Sequence, residues 1–152
     1  METLEQVLTI ASEEYEAGRL DRAARLYEAA VCIKPSYWYS VYCLGTVMAR
    51  LGNDGIAIPL FMQAIQDNPK CVEAIYNLGL SMRRQGHTKS AQAIYTEALK
   101  IDPNHSEIMA AMAGCFINEG NPKGCVEWAD KSLSINPDNH RAKHHKSLGL
   151  LE

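Results

Sequence analysis

The stretch that decides the fold is Val72–His105, which reads VEAIYNLGLSMRRQGHTKSAQAIYTEALKIDPNH. Apolar and small residues recur with helical spacing over Ile75–Met82 and again over Ala91–Leu99. Gly86 interrupts the pattern between these segments, and Pro103 lies just beyond the second one. Both residue types end helices, because glycine adopts left-handed backbone angles and proline has no N–H to donate. The stretch therefore predicts two amphipathic helices joined by a tight turn.

The same pattern recurs along the chain with a step of 34 residues. The glycines with this step are Gly18, Gly52, Gly86 and Gly120, and the prolines are Pro35, Pro69, Pro103 and Pro137. Two further positions stay small in every copy, one as Ala23, Ala57, Ala91 and Cys125, the other as Ala30, Ala64, Ala98 and Ser132. Small residues at a fixed place are expected where two helices approach too closely for a larger side chain. The chain is therefore predicted to repeat one helical hairpin.

The repeat resembles a tetratricopeptide repeat. The residues that match the signature of this family are Leu78-Gly79, Gly86, Ala91, Tyr95, Ala98 and Pro103. The resemblance implies an all-α, right-handed α-α superhelical solenoid of four 34-residue helix-turn-helix repeats plus a C-terminal capping or truncated helix. We expect a single domain over residues 1–152, with repeats at about 4–37, 38–71, 72–105 and 106–139 and a final helix at 140–152.

Charge and composition exclude several classes of protein. The formal net charge is -3 with both signs interspersed, which gives no reason to expect nucleic acid as a partner. No apolar run approaches the ~18 residues of a membrane span, and the N-terminus carries acids where a signal peptide needs basic residues. The five cysteines are an odd number and form no CxxC pair. We therefore expect a reduced, cytoplasmic protein without membrane contact.

Several local features carry expectations of their own. Thr88 is expected to cap the second helix of its repeat, and Asn121-Pro122 is expected to open another helix. Pro59 is expected to delay or kink its helix, with Asp54 as the cap. Cys115 and Cys125 are expected to be buried as small apolar fillers.

No catalytic or cofactor site is visible in the sequence. The Walker loop, GxGxxG, HExxH and GxSxG motifs are missing, so the chain is not expected to be an enzyme or to hold a cofactor. His140 and His144 are four residues apart and could share a metal ion, but no third ligand can be assigned. An exposed polar helix is the simpler interpretation, and we predict no metal site.

The resemblance implies that a partner lies along the first helix of each repeat, on residues outside the signature. Tyrosine supplies a rigid apolar face with a polar tip, arginine a planar fork for a carboxylate, and asparagine can pair with an extended backbone. We therefore expect a peptide or protein segment with aromatic or aliphatic side chains and an acid near the arginines. Alternatively, the tyrosines pack between neighbouring first helices and the arginines are solvated. The predicted partner-binding residues are Tyr39, Tyr42, Thr46, Arg50, Tyr76, Asn77, Leu80, Arg83 and Arg84.

Two groups of similar repeats bind their ligands through residues at known repeat positions, and this sequence matches neither group well. The receptors for acidic chaperone tails use lysines, asparagines and an arginine, and only Asn77 matches that set here. A substrate-recruiting region of a larger enzyme such as a glycosyltransferase remains an alternative. The asparagine run of that family corresponds to Thr9, Cys43, Asn77, Ala111 and His145, which is a poor match. A third alternative is self-association through the end helices, using Leu148, Leu150 and Leu151.

Overall fold

The structure, a computed structural model, describes residues 2–151. Within this range it contains nine α-helices and no strand, so the architecture is all-α as predicted. First helices of 13 residues alternate with second helices of 14 residues, and α9 has 12. The helices are α1 Leu4–Glu16, α2 Leu20–Ile33, α3 Trp38–Arg50, α4 Asp54–Asp67, α5 Val72–Arg84, α6 Thr88–Ile101, α7 Ser106–Asn118, α8 Pro122–Ile135 and α9 His140–Leu151.

Glycine ends the first helix of each of the four hairpins. Gly18, Gly52, Gly86 and Gly120 all have positive φ, between 74° and 88°. A side chain at these angles would meet the following carbonyl, so glycine is the residue that reverses the chain here at least cost. The 34-residue step of these glycines thus sets the length of every first helix.

The helix starts correct three of the expectations from the sequence. Pro59 lies inside α4 and does not delay it, because α4 begins at Asp54 and its N-cap is Asn53. The N-cap of α6 is His87, and Thr88 is already the first helical residue. N-caps at positions 19, 53, 87 and 121 follow the 34-residue step, although only Asn121 accepts a capping bond, from the N–H of Gly124 at 3.0 Å. The packing of the repeat therefore decides where a helix starts, even where a residue that caps better is adjacent.

Two compact units divide the chain within α5. In the unit Met1–Ser81, α1 packs on α2, α2 on α3 and α3 on α4. The core of this unit is a cluster of small and medium apolar side chains that belong to α1, α2 and α3. Its buried members are Ala11, Ala23, Ala24, Tyr27, Cys43, Leu44 and Val47.

In the unit Met82–Glu152, α6 packs on α7, α7 on α8, and α9 on both α7 and α8. Ala113, Cys125 and Ala129 form a buried cluster here. Cys115 and Cys125 are both 0% exposed, which confirms that they are buried. The assignment of residues 1–152 to a single domain stays a prediction.

The eight positions that stay small in the repeat are all fully buried, which confirms the reason given for their size. Each is 0% exposed, and the set is Ala23, Ala57, Ala91, Cys125, Ala30, Ala64, Ala98 and Ser132.

None of the helices between residues 2 and 151 combines the length and the apolar character that crossing a bilayer requires.

Candidate functional site

A cavity of about 220 Å³ lies in the first unit beside α3. Tyr39, Tyr42 and Thr46 are three and four residues apart, a spacing that places them on one face of the helix. All three line the cavity, so the structure brings together three of the residues predicted to bind a partner. The full lining is Ser12, Tyr15, Glu16, Tyr27, Tyr39, Tyr42, Cys43 and Thr46.

The aromatic rings of α3 lie against one another. The ring centroids are 5.6 Å apart for Trp38 and Tyr39, 6.2 Å for Tyr39 and Tyr42, and 6.1 Å for Tyr42 and Phe61. Phe61 belongs to the core at 0% exposed, whereas Tyr39 is 40% exposed. Ring contacts at these distances restrict the side chains. Tyr42 therefore packs on the core ring of α4, while Tyr39 presents an aromatic surface to solvent.

Asn77 links α5 to α3 within the first unit. Its Nδ2 donates to the phenol oxygen of Tyr42 at 3.3 Å, and both side chains are half-buried. The carbonyl oxygen of the Asn77 amide is left for another donor, such as the backbone N–H of an extended segment. Tyr76 and Leu80, the other predicted residues of α5 in this unit, are half-buried.

Arg50 is exposed and lies over an aromatic ring of the neighbouring first helix. Its guanidinium carbon is 5.0 Å from the ring centroid of Tyr15, a cation–π distance. Tyr15 lines the cavity, whereas Arg50 is not among the lining residues. The prediction that Arg50 contacts a partner is not tested by this contact.

The titratable groups of α3 that line the cavity are uncharged at neutral pH. The neighbouring Cys43 thiol and burial raise the pKa of Tyr39 to about 12. Burial raises the pKa of Tyr42 and of Cys43 above their ordinary values. The phenols of Tyr39 and Tyr42 and the thiol of Cys43 therefore keep their protons, and the wall that they form is aromatic and neutral.

The two remaining predicted arginines belong to the second unit. Arg83 is half-buried, and its Nη1 is 3.5 Å from the carbonyl oxygen of Ala111 on α7. Its guanidinium also contacts the thiol of Cys115. Arg84 is exposed. Binding of a partner by Arg83 and Arg84 stays a prediction.

His145 is the main difference from the exposed polar helix that the sequence predicts for α9. His140 and His144 are exposed, but His145 is buried, with 8% of its surface exposed. Its Nδ1 is buried without a hydrogen-bond partner among the described residues. Burial, followed by the charges of Arg83, His144 and Arg141, lowers the pKa of His145 to about 4, so the ring is neutral at pH 7. No three potential ligands in residues 2–151 converge as a metal site would require.

Five residues that line the cavity are not in the predicted partner-binding set, and they are Ser12, Tyr15, Glu16, Tyr27 and Cys43. Tyr27 occupies the aromatic place that Phe61 and Tyr95 hold in later repeats. Its ring is indeed buried, yet it also lines the cavity. The sequence also contains a signal for His145. This residue lies 34 residues beyond Ala111 and 68 beyond Asn77, so it has the same repeat position as Asn77, a predicted partner-binding residue.

Two family models match the chain, and both describe the tetratricopeptide repeat. One matches residues 8–69 and 42–106, and the other matches residues 82–147. The chain belongs to the tetratricopeptide repeat family. Tetratricopeptide repeat proteins are scaffolds for protein–protein interaction and are generally not enzymes, and this chain is a scaffold of that family. A comparison with curated protein sequences found no match.

Solved tetratricopeptide repeat structures share the fold, which is an all-α helical repeat solenoid. The APC/C hetero-tetramer Cut9-Hcn1 has a TM-score of 0.90 at 18% identity over 99% of this chain. This chain spans only 30% of the chain that it matches there. MamA from Desulfovibrio magneticus RS-1 has a TM-score of 0.84 at 16% identity, covering 91% of this chain and 78% of its own. YrrB, described as a TPR protein with an unusual peptide-binding site, has a TM-score of 0.68 at 20% identity, covering 95% and 92%. At these identities the likeness concerns the fold alone.

Proposed function

We propose that this tetratricopeptide repeat chain is a non-enzymatic scaffold that binds an extended segment of a partner protein along the first helices of its repeats. In the first unit, an aromatic or aliphatic side chain of the partner enters the cavity beside Tyr39. The observation that carries the proposal is this cavity of about 220 Å³, which Tyr39, Tyr42 and Thr46 line together.

The chemistry of the cavity supports binding of a side chain in preference to a small charged ligand. Its wall consists mainly of aromatic rings whose hydroxyl groups stay protonated. Such rings bury apolar surface while their hydroxyl groups bond to a peptide backbone. The side-chain carbonyl oxygen of Asn77 on α5 accepts no hydrogen bond from the described residues. It adds an acceptor for a backbone N–H of the bound segment.

The thiols support a role without covalent catalysis. Nucleophilic cysteines have a lowered pKa and partial exposure. Here burial raises the pKa of Cys43, Cys115 and Cys125, so these thiols are protonated and poorly nucleophilic.

The proposal extends to the compartment and to other partners. All five cysteines are free, which suits a reduced cytoplasmic setting. A balanced surface charge favours neither nucleic acid nor an anionic membrane. Leu150 and Leu151 are exposed at 67% and 84%, and self-association through them stays a prediction.

Selection of a display library of random short peptides against the full chain tests the proposal. We expect enriched peptides to share an aromatic or large aliphatic residue. Tyr39→Ala should weaken binding of a selected peptide about 10-fold or more, because truncating an aromatic contact residue commonly costs over 1 kcal/mol. The matched control is Met62→Ala on α4, since Met62 is exposed at 55% and lies outside the cavity lining.

Two results would contradict the proposal. One is a selection that enriches no peptide. The other is equal affinity of the Tyr39→Ala and Met62→Ala variants for the selected peptides. Circular dichroism of each variant checks that its helices are intact.

A further inference from the structure

The outer face of α4 is apolar and carries no charge. Ile56 and Met62 are 53% and 55% exposed, and Pro59 is exposed between them. At about 3.6 residues per turn, these side chains lie on one arc of about 120° with Pro59 at its centre. Between Asp54 and Asp67, the first and last residues of α4, no residue is charged. The exposed residues of this arc, here named the α4 face, are Gly55, Ile56, Pro59, Met62, Gln63 and Gln66.

Other repeats hold charged side chains at the same places. One 34-residue step earlier, α2 has Arg22, Arg25 and Glu28 where α4 has its three exposed apolar residues. Three steps beyond α2, α8 has Glu127 and Asp130 at the last two of these places. All five charged side chains are exposed. Packing within the repeat therefore does not explain why the α4 face is apolar.

Two residues of the α4 face also weaken the helix that carries it. Glycine is less stable in a helix than alanine, yet a Cβ on Gly55 would meet no atom within 4 Å. No neighbour in the described chain therefore excludes a side chain at this position. Pro59 lies inside α4 and has no N–H to donate to the helix. Residues that oppose the local structure without a gain inside the chain are expected where a surface serves another purpose.

The missing charge indicates which kind of surface covers this face. A charged partner would lose water on contact and would find no opposite charge between Asp54 and Asp67. The matching surface is therefore also uncharged and apolar. In a pair of identical chains about a two-fold axis, one patch meets its own copy, so a patch without charge has no repulsion to overcome. A second copy of the α4 face meets this requirement, and Gly55 leaves room for one of its side chains.

We propose that the α4 face is a dimerisation surface, on which the α4 face of a second copy of this chain packs about a two-fold axis. The contact covers Ile56, Pro59 and Met62 in both copies. With 14 residues, α4 is about 21 Å long. A contact along one helix of this length is smaller than the roughly 800 Å² per partner of a standard interface, so the dimer is weak and forms at high concentration.

This inference does not rest on the proposed function. No residue of α4 lines the cavity beside α3, so dimerisation and binding of a partner segment use different surfaces. The α4 face is also distinct from Leu150 and Leu151, which belong to α9.

Sedimentation equilibrium of the full chain from about 5 µM to about 1 mM tests the dimer. We expect the mass to rise with concentration from 16.9 kDa towards twice this value. Two double variants change the α4 face, one with Ile56→Lys and Met62→Lys, the other with Ile56→Glu and Met62→Glu. Each should weaken dimerisation about 10-fold or more, because like charges meet across the two-fold axis. Both should fold, since α2 has Arg22 and Glu28 at the same two places.

An equal mixture of the two double variants tests whether the α4 face meets its own copy. The lysines of one chain then lie opposite the glutamates of the other, so the mixture should dimerise about 10-fold more strongly than either variant alone. Ile135→Lys is the matched control, because Ile135 is 45% exposed on α8 and lies outside the α4 face. This control should dimerise as the wild type does. Circular dichroism checks that the helices of each variant are intact.

Several results would overturn the inference. A wild-type mass that stays at 16.9 kDa up to about 1 mM would show that no second copy covers the α4 face. Dimerisation of either double variant at wild-type strength, or an equal loss in Ile135→Lys, would place the contact elsewhere. A mixture of the two folded variants that stays monomeric would show that the two faces do not meet.

Discussion

Gly45 and Gly55 belong to the same hairpin but have different surroundings. A Cβ on Gly45 would lie 2.9 Å from Cε1 of Phe61 and 3.4 Å from Cβ of Leu60, whereas one on Gly55 would meet no atom within 4 Å. The ring of Phe61 is 0% exposed and cannot move aside as a surface side chain does. Gly45 is therefore needed for the close approach of α3 to α4, and Gly55 is not.

Gly45→Ala is predicted to lower the free energy of unfolding by about 1–3 kcal/mol, because the added methyl group overpacks the contact with Phe61. Gly55→Ala should be neutral or stabilise the protein by up to about 1 kcal/mol through helix propensity. Urea titrations followed by circular dichroism measure both values. Equal stability of the two variants would contradict this prediction, because it would show that the α3–α4 contact has room for a methyl group at residue 45.

At the scale of the element, the start of α9 is tied to the start of α7 by one buried side chain. The Oδ1 of Asn139 accepts from the N–H of Ala142 at 3.0 Å, which caps α9. Its Nδ2 donates to Oγ of Ser106 and to Oε1 of Glu107, both at 2.9 Å. Ser106 in turn bonds with Ser132 on α8, with the two hydroxyl oxygens 2.8 Å apart. This polar cluster joins three helices.

Asn139→Ala is predicted to lower the free energy of unfolding by about 2–3 kcal/mol. The change removes a helix cap, worth about 1 kcal/mol, and the two side-chain bonds by which Asn139 holds α9 to Ser106 and Glu107. Asn136→Ala is the control, because Asn136 is exposed in the same turn and its side chain accepts from the N–H of Asp138 alone among the described residues. Thermal melts of both variants give the comparison, and an equal shift in Tm would contradict the role of Asn139.

At the scale of the whole chain, the sequence was sufficient for the features that the repeat dictates. The helix count, the left-handed glycines and the fully buried small positions all follow from a 34-residue step. The step could not reveal contacts peculiar to one repeat. Ser132 was read only as a small residue, yet its hydroxyl donates to the carbonyl oxygen of Ser106 at 2.8 Å.

For the candidate site too, the sequence predicts the spacing of residues but not their individual contacts. The spacing of Tyr39, Tyr42 and Thr46 placed them on one face of α3, but it could not show that Tyr42 packs on Phe61 while Tyr39 stays exposed. His145 escaped prediction because its neighbours His144 and Lys143 are exposed and made α9 look solvated. Its burial depends on the missing side chain of Gly114, which no pattern within α9 records.

All five histidines lie in the second unit, and one of them makes that unit sensitive to acid. The pKa of His145 is about 4 in the folded protein against the ordinary value of 6.5. Between pH 6.5 and about 4 the unfolded chain therefore binds a proton at this histidine and the folded chain does not. The stability that the neutral ring allows is complete above pH 6.5 and is lost as the pH falls towards 4. At about 1.4 kcal/mol per pH unit, the full loss is on the order of 3 kcal/mol.

Hydrogen exchange of the peptide-free chain at a series of pH values, corrected for the intrinsic exchange rates, measures this loss. Amide protection should fall with acid in α7, α8 and α9, because these helices surround His145 or carry it, and should change less in α1 to α4. His145→Gln is expected to lower stability at neutral pH, since an amide does not fill the space of the ring, but to remove the dependence between about pH 6.5 and 5. His140→Gln, which changes an exposed histidine of the same helix, should keep it. If the dependence survived in His145→Gln, the proton would have to bind elsewhere, and the buried neutral ring would not be the acid-sensitive group.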